Sequence, residues 1–164
     1  MSAIVLVGMP GAGKSTVGVL LAKQLARNFV DTDLLIQLET GKTLQQIVDE
    51  QGYIKLREIE EQVILKRDFS HAVVATGGST VYGQYSMAKL KEAGRIIYLS
   101  CKLEELRVRI GNYERRGIAA PPEQSFSEIA KERETLYRRY ADIEISTDGL
   151  SLAQVVEGLI KALT

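Results

Sequence analysis

The run Gly8 to Thr16, GMPGAGKST, follows five apolar residues, Ala3 to Val7, and precedes a stretch of helical period. It fits the pattern Gly, four residues, then Gly-Lys-Ser, in the strand-then-helix context that a phosphate-binding loop requires. Gly8, Gly11 and Gly13 let the backbone turn tightly and aim successive N–H groups inward, toward the N-terminus of the following helix. Gly11, Ala12, Gly13, Lys14, Ser15 and Thr16 are therefore expected to surround a nucleotide's phosphates. Lys14 adds a charge for the β- and γ-phosphates, and the Ser15 hydroxyl is placed to ligate Mg²⁺. Nucleotide binding is the first functional expectation.

The residues that follow alternate helix and strand. Val17, Leu20, Leu21 and Leu25 fall at helical spacing over about Lys14 to Arg27, with Gly18 marking close packing against a sheet. A short strand around Phe29 and Val30 runs into Asp31-Thr32-Asp33, placing two acids at a strand end, the ligand-facing edge of an open α/β sheet. From Leu34 to Arg67 the period is helical with breaks at Gly41 and Gly52, and Thr43 to Gln46 reads as a capping box. This region is a small helical insertion. In its last helix Leu56, Ile59 and Val63 form the buried stripe, with Glu60 inside it and Arg57 alongside. Ionised groups on an apolar stripe require partners, so the two residues form a buried salt bridge or face a substrate. Ala72 to Ala75 is the next strand, ending in Thr76-Gly77-Gly78-Ser79. The paired glycines serve as a tight exit turn or let backbone N–H groups approach a ligand. A helix over Gln84 to Ala93, a strand over Arg95 to Ser100 and a helix over Leu103 to Ile110 repeat the βαβ pattern, which implies a parallel sheet with right-handed crossovers.

Residues 111–124 combine two glycines, paired prolines and Arg115-Arg116, and are expected to form a lid or binding loop. Ser125 to Glu128 is a second capping box, opening a helix whose apolar face carries Phe126, Ile129, Ala130, Leu136, Tyr137 and Tyr140. Arg133 projects onto that face and is read as a member of a structural ion pair; Arg138 projects off it. A strand over Asp142 to Ile145 and a helix over Leu152 to Leu163 close the chain. At 164 residues one domain, 1–164, is expected. The 21 basic and 21 acidic residues balance, so neither nucleic acid nor membrane is expected as a partner. Charge is nevertheless uneven: between Arg107 and Arg139, seven arginines and Lys131 against five glutamates leave +3, a local preference for anions. The single cysteine, Cys101, is read as a packing residue and the single histidine, His71, as a surface one, which excludes His/Cys metal clusters. Without a signal peptide or spanning apolar run, the cytoplasm is the expected compartment.

In order and spacing, GMPGAGKST, Asp31-Thr-Asp33, Leu56-Arg57-x-x-Glu60, Ala75-Thr-Gly77-Gly78, an arginine-bearing lid and Leu136-Tyr137-Arg138 resemble the shikimate kinases. The resemblance implies a three-layer α/β/α fold of the phosphate-loop type, with a five-stranded parallel sheet in the order 2-3-1-4-5. A substrate-binding insertion would occupy about 33–62 and a lid about 111–124. It further implies ATP and Mg²⁺ as cofactors, with Lys14 and Ser15 at the phosphates and metal and Asp31 in the metal's water shell. Asp33 would contact the acceptor hydroxyls and take the proton. Arg57 and Arg138 would grip the acceptor carboxylate, with Glu60 supporting Arg57 or reaching a hydroxyl. Gly77 and Gly78 would offer N–H groups to the substrate, Arg116 would close on the transferring phosphate, and Arg109 would lie near the adenine. A monomer acting on a small hydroxy acid is expected.

The chain departs from the family pattern where it has Ser79 in place of a third glycine, Leu56 in place of phenylalanine, and Arg116-Gly117-Ile118-Ala119 in place of Arg-Pro-Leu-Leu. Ser79 adds a hydroxyl near the predicted acceptor at a position where positive φ would disfavour a side chain. Arg115 could substitute for Arg116 if the loop is shifted by one. These changes touch the acceptor side, so a kinase of another polyhydroxy acid, similar to the gluconate kinases, stands as the alternative, followed by a non-catalytic nucleotide-binding module.

Overall fold

The computed structural model describes residues 2–111 and 117–164. The first strand, β1 (Ala3–Val7), is buried at every position, as is β3 (Ala72–Ala75); such unbroken apolar runs suit parallel strands covered on both faces. With β2 (Asn28–Asp31), β4 (Gly94–Ser100) and β5 (Ile143–Ser146) they form a five-stranded sheet in the order β2-β3-β1-β4-β5, parallel throughout. The sheet order matches the expectation. The chain starts in the middle, lays β2 two places to one side, fills the gap with β3, then crosses to the other side. At the carboxyl end of β1 the connections diverge, opening the crevice in which such sheets bind ligands.

The helices between these strands are α1 (Lys14–Leu25), α2 (Thr32–Thr40), α3 (Leu44–Gln51), α4 (Tyr53–Leu65), α5 (Gln84–Ala93), α6 (Leu103–Ile110), α7 (Phe126–Tyr140) and α8 (Leu152–Leu163). Both anticipated capping boxes are present, at Thr43/Gln46 and Ser125/Glu128, and a third at Ser151/Gln154 opens α8. Gly18 of α1 carries no side chain because a Cβ there would sit 2.7 Å from the Phe29 ring on β2. The main core runs through the sheet and its flanking helices.

The insertion, α2 to α4, has a small core of its own: Ile36, Ile47, Leu56, Val63 and, from the far end of the chain's lid segment, Ala119. Gly117 is pressed onto α3, donating its N–H to Gln45 Oε1 at 2.8 Å. Residues 117–119 are thus packed against the helices of the insertion. Among the described residues no helix is long and apolar enough to cross a membrane.

Candidate active site

Three strand ends build the site. After β1 the loop holds Gly8, Gly11 and Gly13 at φ of 152°, 86° and 92°, a backbone path that side chains disfavour. Gly13 caps α1 without a side chain, so the helix's first N–H groups are turned toward the loop. Lys14 is nearly buried, and its ammonium donates to the Gly8 and Met9 carbonyls at 2.7 and 2.9 Å. Burial pulls its pKa down to about 8, against the opposing pull of Asp33 and Asp31.

After β2, Asp31 serves two ends at once. Its Oδ1 caps α2 by accepting the Asp33 N–H at 2.9 Å, and its Oδ2 accepts the Ser15 hydroxyl at 2.6 Å. Asp33, on the first turn of α2, faces inward. Burial first, then the neighbouring Glu60 and Asp31 charges, push its pKa up to about 7, with Lys14 opposing.

After β3 the chain turns at Gly77 and Gly78. A Cβ on Gly77 would lie 2.7 Å from Glu60 Oε1 and 2.8 Å from Asp33 Oδ1, so both carboxylates converge on this backbone. The Gly77 N–H is spent on Thr32 Oγ1 at 3.0 Å, which corrects its expected role as a donor to substrate: what it provides is space. Ser79 has φ of −92°, an unstrained helical conformation, so the hydroxyl costs the backbone nothing. That hydroxyl donates to Glu60 Oε2 at 3.0 Å, and the Thr80 hydroxyl takes Glu60 Oε1. Burial raises the Glu60 pKa, and these two hydroxyls pull it partly back.

Glu60 and Arg57 form no salt bridge, so the first of the two sequence expectations for the pair does not hold. Arg57 instead donates from Nε and Nη2 to the Ala119 carbonyl at 3.1 and 2.7 Å, and lies over the rings of Tyr82 and Tyr53. Because Ser79 helps to hold a buried carboxylate, Ser79→Ala should lower stability by about 1–3 kcal/mol. Thermal denaturation measures this, and an unshifted midpoint would show that Glu60 does not depend on that hydroxyl.

One cavity of about 560 Å³ joins the three strand ends. Gly11, Gly13, Lys14, Ser15, Thr16, Asp33, Glu60, Gly77, Gly78, Ser79 and Arg109 all line it. Ala12 is buried behind the loop, and Arg57 lines an adjoining cavity of about 410 Å³ that shares Glu60 and Ser79 with the first. Arg109, on α6, reaches toward the Gly11 carbonyl and Thr147 while paired with Glu105. Arg115 and Arg116 lie outside the described residues.

Two arginines of α7, Arg133 and Arg138, exchange places relative to expectation. Arg138 is exposed, paired with Glu134 and Glu144, and borders a different pocket, so it does not reach the cavity. Arg133 does line the cavity, 1% exposed. Its Nη2 donates to the Ala119 carbonyl at 2.9 Å, its Nε has no hydrogen-bond partner, and no carboxylate among the described residues lies within ion-pair distance. Among the described residues the structural ion pair foreseen for it is absent. A signal for this was in the sequence: the positions three and four residues either side, Ile129, Ala130, Leu136 and Tyr137, offer no acid. Tyr82 and Thr80, in a single 3-10 turn (Thr80–Tyr82), were also missed, since no periodicity marks so short an element.

The profile of the shikimate kinase family matches residues 10–164. The chain belongs to the shikimate kinase family. A shikimate kinase of Rhodococcus jostii strain RHA1 is 38% identical, with 97% of this chain and 96% of the relative aligned. A solved shikimate kinase from Acinetobacter baumannii, in complex with shikimate, superposes with a TM-score of 0.89 at 31% identity, covering 99% of this chain and 93% of that one. A shikimate kinase structure from Aquifex aeolicus gives 0.83 at 26% identity over 98% and 95%. Family membership makes this an ATP-dependent phosphotransferase acting on an alcohol group.

Proposed function

We propose that the protein transfers the γ-phosphoryl group of ATP to the 3-hydroxyl of shikimate, giving shikimate 3-phosphate and ADP. The observation that carries this reading is a single cavity lined by the buried ammonium of Lys14, the carboxyl of Asp33 and the side chain of Arg133, a guanidinium with no ion-pair partner among the described residues. A phosphate donor, a hydroxyl and a carboxylate each find a complementary group there.

In this reading the loop N–H groups and Lys14 hold the β- and γ-phosphates, and Arg109 lies beside the adenine. Ser15 and Asp31 are hard oxygen donors already 2.6 Å apart, a set that suits Mg²⁺. The ion, when bound, offsets charge on the transferring group. Arg133 and Arg57 take the acceptor carboxylate, for which guanidinium forks fit better than ammonium groups. Asp33 orients the hydroxyl and accepts its proton as the new O–P bond forms and the bond to the β-phosphate oxygen breaks. Arg116 supplies lid charge. The enzyme acts as a cytoplasmic monomer on a small hydroxy acid, with neither nucleic acid nor membrane as a partner.

A coupled ADP-release assay with shikimate, quinate and gluconate tests the assignment. Turnover of shikimate far above the others is the expected result. Preference for another acid, or nucleotide binding without turnover, would overturn it.

A further inference from the structure

We propose that Tyr82 is a positioning residue for acceptor binding, its ring face and anchored hydroxyl holding Arg57 and Arg133 together as one carboxylate clamp. The inference rests on the acceptor reading given above.

Two guanidinium groups share a single carbonyl. Arg57 Nε and Nη2 and Arg133 Nη2 all donate to Ala119 O, three N–H groups on an oxygen with two lone pairs. Two like charges are therefore held within two hydrogen-bond lengths of each other in a partly dry site, an arrangement that opposes itself. No carboxylate among the described residues lies within ion-pair distance of either arginine; Glu132 acts on both through space, from an exposed position where solvent screens it, and Glu60 acts on Arg133. Tyr82 supplies the direct contact that both share. The Arg57 guanidinium carbon lies 3.8 Å from the centre of its ring and that of Arg133 lies 5.5 Å away. The negative face of an aromatic ring attracts cations at such distances.

The ring itself is fixed at its far end. The Tyr82 hydroxyl donates to Glu132 on α7, whose other oxygen accepts Gln124 Nε2 at 3.0 Å. Tyr82 thereby ties the turn after β3 to the helix that carries Arg133. The chemistry of the choice matters. An acid at this position would hold the arginines more strongly but would neutralise them and compete with an incoming carboxylate. An aromatic face orients the guanidiniums and leaves their charge to the ligand.

The test compares Tyr82→Leu, Tyr82→Phe and Glu132→Ala with the unaltered protein, using shikimate and its methyl ester, by steady-state kinetics and by calorimetric binding. Tyr82→Leu should raise the shikimate KM about 5- to 30-fold while the ATP KM stays within about twofold. Tyr82→Phe keeps the ring face and should rise less than about threefold. Binding of the methyl ester, which lacks the carboxylate, should be the same in every variant. Glu132→Ala, at an exposed position, tests the anchor independently of core packing and should give the same acceptor-only rise at smaller amplitude. An unchanged or lowered shikimate KM in Tyr82→Leu, a parallel rise in the ATP KM, or equal losses for acid and ester would each overturn the proposal; unchanged kinetics in Glu132→Ala would overturn the anchor. If the unaltered protein fails to turn over shikimate, the acceptor reading itself falls.

Discussion

Asp33→Asn is expected to lower kcat by about 10² to 10⁴, the range a positioned general base supplies, and to leave ATP affinity nearly intact. The same substitution should make the protein more resistant to heat. In the folded chain the Asp33 carboxyl is pushed from 3.8 up to about 7 by burial and by the nearby Glu60 and Asp31 charges. The folded state therefore holds this proton more tightly than the unfolded chain does. The stability so gained is complete below about pH 4 and disappears as the pH rises through about 7. Asparagine is neutral throughout and escapes that loss, so the melting advantage of the variant should grow between about pH 4 and pH 7 and level off above. Unaltered protein should also lose kcat/KM for the acceptor as the pH falls through about 7, because the base becomes protonated. Differential scanning calorimetry and a pH–rate series read both effects. Full activity in Asp33→Asn would remove Asp33 from the mechanism, and an advantage independent of pH would remove the charge argument.

Arg133→Ala should raise the acceptor KM about 10- to 150-fold, as expected for losing a charged hydrogen bond in a buried site. Arg133→Lys should recover part of it, since charge returns without the fork. Arg138→Ala should leave both KM values unchanged, because that side chain is occupied with Glu134 and Glu144 at the surface. Arg133→Met preserves bulk and separates packing from charge. The opposite ranking, with Arg138 essential and Arg133 dispensable, would place the clamp elsewhere.

These two arginines also show how far the sequence could be read. The phosphate loop was legible because its chemistry is local: glycines, lysine and serine must follow a strand and open a helix, and all of that lies in nine consecutive residues. The sheet order and the capping boxes were legible for related reasons, through period and short spacing. The acceptor side depends on which residues meet from distant segments. Arg133 lies on a buried face, and burial alone suggested an internal ion pair; only the fold reveals that the face opens on a cavity. Arg57 and Glu60 are one turn-neighbour pair in sequence, yet Ser79 and Thr80 claim the acid and Ala119 and Tyr82 claim the base. Helical adjacency gives proximity and cannot rank competing partners from another strand end. The φ of −92° at Ser79 accepts a side chain without strain, and no sequence rule supplies that angle.

Ala119 has a consequence for how such enzymes can be recombined. Its methyl group belongs to the core of the insertion, its carbonyl receives both clamp arginines, and its neighbour Gly117 is bonded to α3. Residues 117–119 and the insertion, joined by contacts between residues 62 and 72 apart in sequence, therefore form one packed unit. A chimera that imports a relative's lid without its insertion breaks this unit at its hydrophobic seam, whereas one that moves both together carries an intact acceptor specificity with it.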